Sequence, residues 1–200
     1  MRQRRMRGFS LIEMMSVLGI VIIVSSISVM TLQPELKASR VTNAYNTSLM
    51  VFRQARDLAV AQRQVYYVNI QHNTTPPDTM QIVQGATGTV VNTFQMPEDL
   101  GYIIVSGIPT GAANAPDGFG AGAVAIDFDQ GVSGGNKTVV YFQPDGSAQD
   151  VNGNINNGVL YVARTNDVYS SHAITIWGAT GRLRGWRLVN NVGTPYWRQM

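Results

Sequence analysis

Hydrophobicity is laid out along this chain in two different ways. From residue 14 to residue 34 no position is charged, and apolar side chains occupy every side of a helical wheel, relieved by little more than serines and a threonine. A helix without a polar face is either wholly buried or membrane-spanning. At roughly 1.5 Å per residue, this run is just long enough to cross a bilayer. Beyond it the pattern becomes one-sided. Val41, Tyr45, Leu49, Phe52, Ala55 and Ala59 recur at three- and four-residue steps. That spacing predicts an amphipathic helix over residues 35–64 with one face for a core. Arg53 and Asp57 stand at the i,i+4 spacing of a helical ion pair. Pro34, between the two patterns, is expected to kink or break the helix locally, since it lacks an N–H and clashes with the preceding turn.

After residue 64 the period shortens. Runs that favour strands fall at 65–70, 80–83, 89–94, 102–105, 123–128, 138–142, 159–164, 173–177 and 182–188. Gly, Asn, Asp and Pro separate them, and the longest separator, 107–122, reads as a loop. One long helix followed by many short strands predicts an α+β chain, with antiparallel sheets packed on the second half of the helix.

The residues before the apolar run change the picture most. Arg2, Arg4, Arg5 and Arg7 precede Gly8-Phe9-Ser10-Leu11-Ile12-Glu13. Basic residues ahead of an apolar segment hold that end in the cytoplasm. A secretory signal peptide is cut after its apolar core, whereas the recognisable site here lies before it. This junction resembles the class III signal of type IV prepilins and type II secretion pseudopilins. The resemblance implies cleavage by prepilin peptidase between Gly8 and Phe9, N-methylation of Phe9, and an apolar segment kept on the mature chain. It also implies that Glu13 pairs with the free amine of a neighbouring subunit's Phe9 during assembly with other pilins or pseudopilins. A carboxylate in an apolar helix is costly and marks function or pairing, although one this near the helix end can also be solvated at the membrane edge. The expected division is a leader over 1–8, a membrane and assembly segment over 9–34, a periplasmic helix over 35–64 and a β-rich head over 65–200. The chain would sit in the bacterial inner membrane, N-terminus cytoplasmic and head periplasmic. Many type IV pilins have a proline about four residues before Pro34; this chain has Met30 there.

Later segments resemble the GspH/FimT group more narrowly. Arg56-Asp57-Leu58-Ala59 with Gln62-Arg63-Gln64-Val65 is similar to its helix-to-strand junction. Phe142-Gln143-Pro144-Asp145-Gly146-Ser147 is similar to its central turn, and Ile174-Thr175-Ile176 with Gly181-Arg182-Leu183-Arg184 to its final hairpin. In that group the sheets form a β-sandwich-like head on the helical stalk.

Charge and composition narrow the chemistry. Removing the leader takes away four arginines, which turns the formal +3 of the 200 residues into −1. Residues 66–163 carry Lys137 against eight acids, whereas 164–200 carry five arginines against Asp167. A basic C-terminal segment on an acidic body is a candidate contact surface. There are no cysteines, so packing alone must hold the head together. His72 and His172 belong to no recognisable catalytic motif. Asp127 and Asp129 would point the same way on an extended strand, where paired acids usually form a solvated face. Asp150-Val151-Asn152-Gly153-Asn154 partly resembles a calcium loop, but Ile155 replaces the expected glycine and Tyr161 the distant acid. An Asn/Gly turn is the simpler reading. No enzyme activity, cofactor or metal is expected.

The final hairpin is the remaining candidate site. Arg182, Arg184 and Trp186 alternate and would share one strand face, with Arg187 on the other. Guanidinium groups bind phosphates in a bidentate fork and an indole can stack on a base. In the FimT branch a Gly-Arg-x-Arg motif of this form is associated with DNA uptake, and it maps onto Gly181, Arg182 and Arg184. These residues are therefore candidate DNA contacts; equally, the arginines could pair with the domain's own acids or with a neighbouring subunit. The expected function is a non-catalytic subunit of a type II secretion pseudopilus, with a DNA-binding minor pilin as the alternative.

Overall fold

The computed structural model describes residues 9–111, 113–120, 122–130 and 137–200. One helix, α1 (Leu11–Gln62), comes first. The chain then separates into two compact units, residues up to Ser39 and Arg40–Met200.

From Leu11 the first unit is helix, and every described residue in it is exposed within the molecule. Its hydroxyls turn back on the helix. Ser16 donates to the Ile12 carbonyl at 2.9 Å, Ser26 to Ile22 at 2.8 Å and Ser28 to Val24 at 2.9 Å. Such bonds let a polar side chain sit in apolar surroundings without an orphaned donor. The helix passes through Pro34 without the break that the proline suggested. One proline removes a single backbone bond, and neighbouring turns can carry the helix past it.

The second unit is the head. Its helical part, residues 40–62, buries the apolar stripe read from the sequence: Val41, Tyr45, Leu49, Phe52, Ala55 and Ala59 are all buried. The helix stops where Arg63 enters the left-handed region at φ 52°, and the Gln64 N–H returns to the Ala59 carbonyl at 3.2 Å. Among the described residues, eleven strands follow in two antiparallel sheets. The first sheet contains β1 (Tyr66–Gln71), β2 (Thr79–Gln84), β3 (Val90–Gln95), β6 (Val139–Phe142) and β7 (Ala148–Gln149), in the order β3-β2-β1-β6-β7. The second contains β4 (Leu100–Gly101), β8 (Gly158–Arg164), β9 (Asp167–Trp177), β10 (Arg182–Asn191) and β11 (Thr194–Gln199), in the order β11-β10-β9-β8-β4. The remaining strand, β5 (Ile126–Phe128), pairs with β8. The chain is thus α+β, with a long apolar N-terminal helix and an antiparallel β head.

Both sheets share one core with the helix. Phe52 sits edge-on to Phe128 and Phe142, with ring centroids 6.0 and 6.4 Å away, among Val68, Met80, Leu160 and Ile174. A second, smaller core lies on the other face of the second sheet. There Tyr161, Ala173, Leu188 and Trp197 are covered by Ile108 and by the partly buried Ile104 and Phe119.

The strand pattern of the sequence is displaced in places. The run at 102–105 is not a strand: the pairing residues are Leu100 and Gly101, and Tyr102 is buried beside them. The run at 123–128 narrows to β5. Two strands escape the sequence reading, β7 because it has only two residues and β11 because of Pro195. Proline is tolerated in β11 because that strand forms the sheet edge.

Candidate functional site

The N-terminal site is built on the exposed stretch of α1. Phe9 precedes the helix, and Glu13 lies in its first turn. Both side chains are exposed in the single chain, so each is available to lipid or to another subunit. Gly8, the residue before the expected cut, lies outside the described residues. The helix contains a span long and apolar enough to cross a membrane.

The final hairpin distributes its cations unequally. β9 and β10 pair across a turn at 178–181 in the register Arg182 with Trp177, Arg184 with Thr175 and Trp186 with Ala173. Gly181 adopts φ +59°, and a Cβ there would overlap the Gly146 carbonyl and lie 2.9 Å from Nε of Arg56. Glycine is therefore required by conformation and by contact. Four residues on, a Cβ at Gly185 would overlap the Tyr45 hydroxyl, so the helix lies directly on this strand.

Arg182 is exposed at the start of β10. Arg184 is not the outward-pointing side chain that strand alternation predicted. Its Nη1 donates to Oδ1 of Asp117, and its Cζ lies 5.8 Å over the Trp177 ring. The Asp117 side chain is only 4% exposed. The other carboxylate oxygen accepts from the Thr175 hydroxyl, and Thr175 in turn accepts from Nε1 of Trp186 at 3.1 Å. Arg184 and Trp186 are thus held by one buried carboxylate from the 107–122 segment. That segment is docked on the sheet, since Trp197 also donates from Nε1 to the Pro109 carbonyl at 3.0 Å. Asp117 was missed in the sequence. Its only signal was the Pro116-Asp117-Gly118 turn, where aspartate tolerates the left-handed φ of 53°.

Arg187 is exposed on the opposite face, opposite His172 of β9 and Arg198 of β11. His172 is buried and its ring stacks near Tyr45, centroids 5.0 Å apart. Its Nδ1 lies 2.8 Å from the Ser170 carbonyl, so that nitrogen carries the proton. Burial lowers the His172 pKa below its usual value; the Ser170 bond opposes this and the nearby Arg187 charge adds to it.

Four of the body's eight acids, Asp78, Asp127, Asp129 and Asp150, are buried. Asp127 and Asp129 are buried, in contrast to the solvated sheet face expected of them. Asp129 lies beyond β5 at φ 69°, which ends the strand alternation that would have paired the two. Burial first, and then the neighbouring Asp150, raise the Asp129 pKa. Asp150 closes a turn: Oδ1 accepts the N–H groups of Asn152 and Asn154 at 2.8 Å, and Oδ2 accepts Nδ2 of Asn154 at 3.0 Å. Burial pushes its pKa up, but these bonds outweigh it and the net shift is downward. An Asx turn accounts for the segment that partly resembled a calcium loop. His72 meets Asp78, which is 2.9 Å from Nδ1 and also accepts the N–H groups of Asn73 at 2.8 Å and Tyr102 at 2.7 Å. This cluster ties the 72–78 loop to β4. Among the described residues, no group of three or more His, Asp or Glu side chains could hold a metal ion.

Residues 3–29 match the family described as the prokaryotic N-terminal methylation motif. The motif supports a type IV pilin-like protein. Neither the comparison with curated proteins nor that with solved structures returned a match. For a pilin-like chain the motif implies processing by prepilin peptidase and assembly with other pilins. Pilin-like proteins are in general structural rather than catalytic.

Proposed function

We propose that the chain is a minor pseudopilin, a non-catalytic structural subunit of a type II secretion pseudopilus of the GspH kind. It would be inserted in the inner membrane with its N-terminus cytoplasmic, cut after Gly8, methylated on Phe9 and drawn into a periplasmic filament by its helix. The observation that carries this reading is the helix itself. Within and just beyond the methylation motif, residues 9–34 leave their apolar side chains exposed within the molecule, with Glu13 as their one charge. Such a surface needs lipid before assembly and neighbouring helices after it. In a low-dielectric bundle, Glu13 and the amine of a neighbour's Phe9 would attract strongly.

The alternative is a FimT-like minor pilin that binds DNA for uptake. Arg182 and Arg187 favour it, because both are exposed on the final hairpin. The pairing of Arg184 with Asp117 argues against it, since a guanidinium already committed to a carboxylate contributes little to phosphate binding. Deleting the gene in its host separates the two. Loss of exported protein with normal transformation supports the pseudopilus. Loss of transformation with normal export overturns it in favour of DNA uptake.

A further inference from the structure

The head withdraws several of its acids and leaves part of its arginines outside any ion pair. Asp78, Asp127, Asp129 and Asp150 are buried, Asp117 is taken by Arg184, and Asp99 is shared by Arg40 and Arg164. Arg53, Arg56 and Arg182, by contrast, line one groove of about 540 Å³ between the helix and the final hairpin turn. Among the described residues, no carboxylate forms an ion pair with any of the three. Asp57 lines the same groove, yet the expected i,i+4 pair with Arg53 is not made. Exposed pairs of that kind stabilise by only about 0.3–0.5 kcal/mol, too little to hold two long side chains together.

Arg56 is set in place before any ligand arrives. Its Nε donates to the Gly146 carbonyl at 3.1 Å and its Nη2 to the Thr180 carbonyl at 3.3 Å. Carbonyls orient a guanidinium without cancelling its charge, and the fork keeps further N–H donors. A preorganised cation loses less freedom when it binds. An apolar groove of about 560 Å³ adjoins it, lined by Met50, Leu58 and Ala61 and sharing Arg53 and Asp57. Met50 is 65% exposed.

We infer that this surface is a carboxylate-binding groove for an acidic, partly apolar segment of a partner protein. The three guanidiniums supply the complement to one or two carboxylates, and the neighbouring groove takes aliphatic side chains beside them. Arginine beside apolar surface is the composition of a protein interface. A nucleic-acid strand fits less well, because the apolar lobe beside the arginines offers its phosphates nothing. The inference holds for either filament proposed above.

The test uses the full chain in detergent micelles and a fluorescent peptide, acetyl-Leu-Glu-Glu-Leu-amide, beside its Gln-Gln counterpart and a short DNA duplex. The glutamate peptide should bind, and the glutamine peptide at least about tenfold more weakly. Arg53→Gln/Arg182→Gln should lose about tenfold or more for the glutamate peptide. Both side chains lie outside the core, and an unchanged melting curve checks that the variant is folded. Leu58→Ala should weaken both peptides alike. No binding of the glutamate peptide at millimolar concentration, or equal binding of both peptides, overturns the proposal. So does duplex DNA binding more tightly than the peptide with the same arginine dependence, which would assign the groove to nucleic acid.

Discussion

Up to Ser39, α1 leaves its apolar side chains uncovered; from Arg40 onward it buries an apolar stripe against two sheets. The backbone is continuous and helical in both stretches, so propensity does not distinguish them. What differs is where the apolar residues stand. Ile20, Val21, Ile22, Ile23 and Val24 are consecutive and point all round the helix. Tyr45, Leu49, Phe52, Ala55 and Ala59 fall on one side. A one-sided stripe can be satisfied by a sheet of the same chain, whereas an all-round surface can be satisfied only by a surrounding medium. The first stretch therefore fits the proposed surroundings of lipid and other helices, and the second fits a core.

The strongest way to break this contrast is at the leader. In a host that processes prepilins, Gly8→Val should abolish cleavage, so that intact-mass measurement finds a chain still carrying its arginines. A normally trimmed variant would remove the basis for reading the first stretch as an assembly helix. Glu13→Ala should leave membrane insertion intact, because it removes a charge from the apolar segment. It should strongly reduce recovery of the protein in sheared filaments; undiminished recovery would rule out the amine pairing.

The next test compares one residue from each stretch. Phe52→Ala should destabilise the head by about 3–5 kcal/mol, since it empties a site between Phe128 and Phe142. Leu18→Ala should leave head unfolding unchanged. All three tryptophans lie in the head, so urea unfolding followed by their fluorescence reads it selectively. Equal effects of the two substitutions would mean that the first stretch also supports the head.

A smaller effect is expected where the head's cations are divided. Arg184→Gln should cost about 1–3 kcal/mol, because it strands the buried Asp117 carboxylate. Arg182→Gln should cost less than about 0.5 kcal/mol, as expected of an exposed position. Equal costs would show that the Asp117 pair does not hold the 107–122 segment on the sheet.

Much of this was legible in the residues. The all-round apolar run, the stripe at 41–59 and the alternation in strands such as β1 each state one burial pattern, and the structure follows them. The final hairpin was legible as a hairpin but not as a site. Alternation placed Arg184 and Trp186 on a common face, yet whether that face meets water depends on a loop 67 residues earlier in the chain. The acids illustrate the same limit. Their excess in 66–163 suggested an acidic surface, but charge counts carry no information about burial. Asp127 and Asp129 were drawn inside by neighbours distant in sequence.

The smallest predicted effect belongs to the buried imidazole beside the hairpin. His172 has a folded-state pKa below its usual 6.5, from burial and from Arg187. Above about pH 6.5 it is neutral in both folded and unfolded chains and contributes no pH dependence. Below that, the unfolded chain takes up a proton that the folded head refuses, so stability falls as pH falls. Asp129 works in the opposite direction, since its raised pKa lets the folded head accept a proton early. His172→Gln removes the first contribution and leaves the second. Between about pH 7.5 and 5, the parent's melting temperature should drop more steeply than the variant's. Parallel slopes would show that His172 does not titrate across this window, and that the Tyr45–His172 contact lends the hairpin no sensitivity to acid.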